Sequence, residues 1–116
     1  MTKIVIYQKS TCTTCRQVYR VLKDSGVDFE SVNYYIEPIP KNKLKGLLKK
    51  MRMKANNLLR TKEDIYRELK LAEKELSEKE IIDLMIKYPD LIQRPIVEKG
   101  AKAILARPAE RIKKIL

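Results

Sequence analysis

The stretch KIVIYQKSTCTTCRQVYRVLKDSGVDFESVNY, Lys3–Tyr34, decides the fold. Its first residues, Lys3–Tyr7, are short and β-branched, which suits a buried strand running into a polar turn over Gln8–Thr11. From about Thr13, the apolar residues Val18, Val21 and Leu22 fall at i, i+3 and i+4. That spacing makes one face of a helix, and Gly26 stands where a left-handed cap would end it. Phe29–Tyr34 then alternates as a second strand. The three elements form a β-α-β unit with parallel strands and a right-handed crossover.

Beyond this unit, Pro38 and Pro40 punctuate the exit, and a helix is expected from about Lys41 to Met51 with Leu44, Leu47, Leu48 and Met51 inward. Lys54–Leu71 is less periodic; Asp64–Leu69 reads as one or two helical turns with Ile65 and Leu69 on the same side. Ser77 with Glu80 forms the S-x-x-E capping box of a helix that carries Ile81, Leu84, Met85 and Tyr88 up to Pro89. Ile96–Glu98, Gly100 and Ala103–Leu105 predict a hairpin. Pro108 opens a last helix with Ile112, Ile115 and Leu116 expected on one face. The order β-α-β, helices, β-β-α is that of the thioredoxin fold, an α/β sandwich of the glutaredoxin type. No repeat or Gly/Ser-rich linker divides the chain, so residues 1–116 are expected to form a single domain.

Composition excludes several chemistries. The 116 residues include 26 Lys and Arg against 15 Asp and Glu, two Cys and no His. Without histidine there is no Ser-His-Asp triad, no Cys-His pair and no histidine-ligated zinc; two cysteines alone cannot close a four-thiolate zinc site. The apolar run before Gln8 is too short for a signal peptide or a membrane span, so a cytoplasmic protein with no membrane contact is expected. Seven basic residues and no acid lie in Lys41–Lys54. Leucines at helical spacing interrupt them and no aromatic side chain stands among them to stack on bases. The run therefore reads as the wet face of a helix, and no direct nucleic-acid contact is expected.

Cys12-Thr13-Thr14-Cys15 lies where the first strand hands over to the first helix. A cysteine at or beside the helix N-cap meets unpaired backbone N–H groups and the positive end of the dipole, which favour thiolate. Arg16 adds a cation. Cys15, about one turn further on, could attack a disulfide formed at Cys12. The polar surroundings and the βαβ context point to a redox pair rather than two buried small hydrophobes. Half of a zinc site shared between two chains is the other reading of the pair.

In its motifs the chain resembles the arsenate reductase family of the glutaredoxin-linked type and the related Spx regulators. The resemblance is carried by IVIYQKSTCTTCR, NNLLRTKED, LIQRPIV and LARPAERI, in the family's order and spacing. It implies a nucleophile at Cys12 and an oxyanion site of Arg60, Arg94 and Arg107. It also implies a cis proline at Pro95 facing the redox cysteine. Helix N–H groups and guanidinium forks are suited to hold a tetrahedral oxyanion while sulfur attacks arsenic. No bound cofactor or metal is implied; electrons would come from glutathione with glutaredoxin, or from thioredoxin.

Two departures separate this chain from those reductases. The histidine that usually stands four residues before the nucleophile is Gln8 here, followed by Lys9 and Ser10. Gln8 can orient a thiolate by hydrogen bonding but carries no charge. The second cysteine, Cys15, is more like the Spx regulators, which switch through a disulfide and contact RNA polymerase, although those generally lack the ARP segment kept here. The expected activity is arsenate reduction, with a redox-switched regulator or a general thiol-disulfide oxidoreductase as alternatives.

Overall fold

Four short strands build the sheet. The computed structural model describes residues 3–116, which cluster into two units: the chain up to Glu37 together with Arg94–Leu116, and Pro38–Gln93. In the first unit, β1 (Ile4–Gln8), β2 (Phe29–Asn33), β3 (Ile96–Lys99) and β4 (Lys102–Leu105) form one sheet in the order β2-β1-β3-β4. β1 and β2 are parallel, and the other two pairings are antiparallel. This is the thioredoxin-like α/β arrangement.

Because side chains alternate across a strand, Ile4 and Ile6 share one face with Val97, which pairs with Ile6. That face is covered by Val18 and Leu22 of α1 (Thr13–Asp24) and by Ile112 and Ile115 near the C-terminus. Each such buried aliphatic side chain contributes roughly 1.5–3 kcal/mol. On the reverse face Tyr7 donates to the buried Glu98 carboxylate at 3.1 Å. α1 ends as expected: the Ser25 amide bonds the Val21 carbonyl, and Gly26 follows at φ +71°. Gly100, at φ +59°, makes the hairpin turn between β3 and β4.

The C-terminal segment departs from the sequence reading. Ala109–Lys114 is a 3-10 helix rather than an α-helix. Its three-residue period aligns Ile112 with Ile115, and Leu116 is left 43% exposed instead of joining them.

The second unit is helical: α2 (Lys41–Met51), α3 (Ala55–Leu58), α4 (Asp64–Glu68) and α5 (Glu78–Lys87), with 3-10 turns at Leu71–Glu73 and Pro89–Leu91. α2 buries Leu44, Leu47 and Leu48 and leaves Lys45 and Lys49 in water, while Lys41 pairs with Asp83 at 2.5 Å. The basic run is thus the solvated side of an amphipathic helix. The capping box of α5 is complete: Ser77 Oγ accepts from the Glu80 amide at 3.2 Å, and Glu80 Oε1 accepts from the Ser77 amide at 3.1 Å. Ser77→Ala is expected to lower stability by about 1 kcal/mol. Urea unfolding checks this, and an unchanged midpoint would count against the cap. Among the described residues, no helix is long and apolar enough to cross a membrane.

Candidate active site

β1 stops at Gln8, the chain turns through residues 9–12, and α1 starts at Thr13, which makes Cys12 the N-cap residue. The turn is closed by the Cys12 amide donating to the Lys9 carbonyl at 3.0 Å, and the Cys12 carbonyl accepts from the Arg16 amide at 3.0 Å. Cys12 has the extended backbone of a cap, and its sulfur takes the place a serine or aspartate oxygen usually fills. It accepts from the Cys15 amide at 3.3 Å. Cys12 is half-buried and Cys15 is fully buried.

Environment drives the two thiols apart. Burial alone would raise Cys12, but hydrogen bonds from the Cys15 thiol and amide, and then the Arg94 and Arg107 guanidiniums, outweigh it and hold Cys12 below the ordinary thiol range. Cys15 is pushed up to about 12, first by burial and then by its hydrogen bond to Cys12. Cys12 is therefore the more readily ionised of the two, and Cys15 is held as the thiol.

Arg94 sits two residues before the start of β3, 5% exposed, and the Arg94–Pro95 peptide is cis; Pro95 is buried. Arg107 Nη1 donates to the Arg94 carbonyl at 3.2 Å, so the two arginines that act on Cys12 are tied to one another. The Arg107–Pro108 peptide is also cis. Arg60 belongs to the second unit. There its amide donates to the Leu91 carbonyl at 2.7 Å beside the Leu59–Ile92 bridge, and its Nε pairs with Glu63 at 2.6 Å. Gln8 gives its side-chain amide to the Ser31 hydroxyl on β2, and Arg16 is exposed on α1.

Three contacts escaped the sequence reading. Arg94 Nη1 lies 3.5 Å from the Tyr35 hydroxyl, the Tyr34 side chain also hydrogen-bonds Arg94, and the Lys9 ammonium sits 4.6 Å from the centre of the Tyr35 ring. Position along the sheet was the available signal. Tyr34 and Tyr35 follow the carboxyl end of a parallel strand, the edge where α/β sheets place their ligand sites.

A model of the ArsC family matches residues 7–115. The chain belongs to the ArsC family. This ArsC-family chain is 34% identical over 116 residues to an Escherichia coli K12 protein named arsenate reductase, a match that covers all of this chain and 82% of that protein. It is 42% identical over 118 residues to the E. coli K12 protein YfgD, described as uncharacterized, with all of this chain and 99% of that one covered. The solved structure of an arsenate reductase from Vibrio cholerae is similar throughout, with a TM-score of 0.91 at 31% identity over 99% of this chain and 98% of that one.

The split between the thiols has a direct consequence for alkylation. Iodoacetamide at neutral pH should label Cys12 and spare Cys15, because each unit by which pH lies below a pKa cuts the thiolate about tenfold. Cys12 labelling should level off at a lower pH than a free thiol, and fade as pH falls through its depressed pKa. Peptide mass spectrometry across pH checks this; preferential labelling of Cys15 would reverse the two roles.

Proposed function

We propose that this chain reduces arsenate, with Cys12 as nucleophile, Cys15 as resolving thiol, and Arg94 and Arg107 as the oxyanion's cations. The observation that carries the reading is a lowered Cys12 thiol at a helix N-cap, acted on by Arg94 and Arg107, in a chain of a family whose named relatives include arsenate reductases. A thiolate approaching an anion to roughly 4 Å meets repulsion of about 4 kcal/mol at an effective dielectric of 20. Guanidiniums beside the sulfur offset that cost and hold the oxygens by charge-assisted hydrogen bonds. Gln8, Arg16 and Pro95 support the turn around the nucleophile.

In the first step the Cys12 thiolate attacks arsenic. An S–As bond forms, one As–OH bond breaks, and the leaving hydroxyl departs as water on taking the Cys15 proton. Once sulfur is bonded to arsenic, its negative charge no longer opposes ionisation of Cys15. The Cys15 thiolate then attacks the Cys12 sulfur. The S–As pair of electrons stays on arsenic, reducing As(V) to As(III), and arsenite leaves as it takes protons from water. Two thiols have become a Cys12–Cys15 disulfide. Thiol-disulfide exchange with thioredoxin, or with glutathione and glutaredoxin, restores them.

The cysteine pair alone also suits a general thiol-disulfide oxidoreductase, or a disulfide-switched regulator that contacts RNA polymerase. Arsenite formation by the purified protein separates these readings. It should proceed with at least one of the two donor systems, whereas disulfide exchange without arsenite would leave the oxyanion chemistry unsupported.

A further inference from the structure

We infer that Tyr34 and Tyr35 are positioning residues that aim the buried Arg94 guanidinium at the Cys12 sulfur, with Lys9 bracing the Tyr35 ring. This role rests on the proposed oxyanion chemistry at Cys12. A turn at the end of β2 sets both phenols. Asn33 Oδ1 accepts from the Tyr35 amide at 3.1 Å, the Asn33 carbonyl accepts from the Ile36 and Glu37 amides at 3.0 and 2.9 Å, and the Tyr34 amide donates to the Gln8 carbonyl at 3.3 Å. The two rings lie 5.1 Å apart, tilted by 34°.

Tyr34 is 2% exposed and hydrogen-bonds Arg94, while Tyr35 offers its hydroxyl to Nη1 at 3.5 Å. An arginine side chain has several rotatable bonds, so its planar fork must be fixed from the side to point at one atom. Phenol oxygens are neutral acceptors, and they set the fork's direction without cancelling the charge that a carboxylate in their place would neutralise. Lys9 couples this support to the nucleophile: its carbonyl closes the turn under the Cys12 amide at 3.0 Å, and its ammonium caps the Tyr35 ring at 4.6 Å.

The test compares Tyr34→Phe and Tyr35→Phe in the parent protein and in an Arg94→Ala background, reading the pH profile of Cys12 alkylation and kcat/KM for arsenate. In the parent, Tyr34→Phe should lower kcat/KM about five- to tenfold and Tyr35→Phe about two- to threefold, both moving the alkylation midpoint upward. In the Arg94→Ala background neither should have a further effect, because the group they aim is gone. Equal losses in both backgrounds, or an unmoved alkylation profile in the parent, would overturn the positioning role. If Arg94→Ala itself leaves both readouts unchanged, the oxyanion reading fails and this role falls with it. Thermal unfolding accompanies each variant; should Tyr34→Phe not fold, the half-buried Tyr35 carries the same comparison.

Discussion

Cys12→Ser is expected to lower arsenate turnover by on the order of 10⁴-fold, because a serine hydroxyl stays protonated where a helix-capped thiol ionises. Fold and helix cap should survive, since serine is itself a preferred N-cap residue. The effect is therefore on chemistry, and circular dichroism with arsenite assays separates the two. Cys15→Ser should behave differently. Its nucleophile is intact, but no internal disulfide can form, so turnover with thioredoxin as the only donor should fall by on the order of a hundredfold. Glutathione with glutaredoxin should recover part of it, because an external thiol can replace Cys15 in releasing arsenite. Unchanged thioredoxin-coupled turnover in Cys15→Ser would remove Cys15 from the mechanism.

Arg94→Ala is expected to be the most damaging of the arginine replacements. Arg94 is buried against Tyr34 and Tyr35 and lowers Cys12 more than Arg107 does, whereas the main-chain carbonyl that holds Arg107 survives the change. Charge-assisted hydrogen bonds of about 1.5–3 kcal/mol each correspond to about ten- to a hundredfold in arsenate affinity. The midpoint of Cys12 alkylation should rise at the same time. Arg107→Ala should follow the same direction with a smaller shift, and lysine at either position should restore charge but not the planar fork. Arsenate, sulfate or phosphate should protect Cys12 from alkylation, less so at high salt. Lys49→Ala, on the wet side of α2, serves as the control and should leave protection unaltered. Normal protection in both alanine variants would contradict the assigned site.

Elements whose signals are local were legible before any coordinates. The β-α-β unit is written in the spacing of Val18, Val21 and Leu22 and in Gly26, and the α5 start in Ser77 and Glu80, each within a few residues of what it controls. Cys12 could be placed at a helix cap for the same reason. α3 could not be read, because its first amide, at Ala55, is satisfied by the Glu78 carboxylate at 2.6 Å from 23 residues away. Nor could the character of the C-terminal helix, since Ile112 and Ile115 suit a three-residue period as well as a 3.6-residue one. The tyrosines that support Arg94 were hidden because aromatic residues at a strand end look like core until the arginine 59 residues later in the chain is brought beside them. Arg94 and Arg107 stood out only through their motifs, as two among 26 basic residues.

The most direct measurement is a single turnover: fully reduced protein, freed of all other thiols, mixed with arsenate, with arsenite, free thiols and chain mass followed together. One arsenite per chain, loss of both thiols and an intramolecular Cys12–Cys15 disulfide without covalent dimer are the results the two-cysteine mechanism requires. Both thiols remaining free with no arsenite released, or arsenite formed while Cys15 stays a thiol, would contradict it.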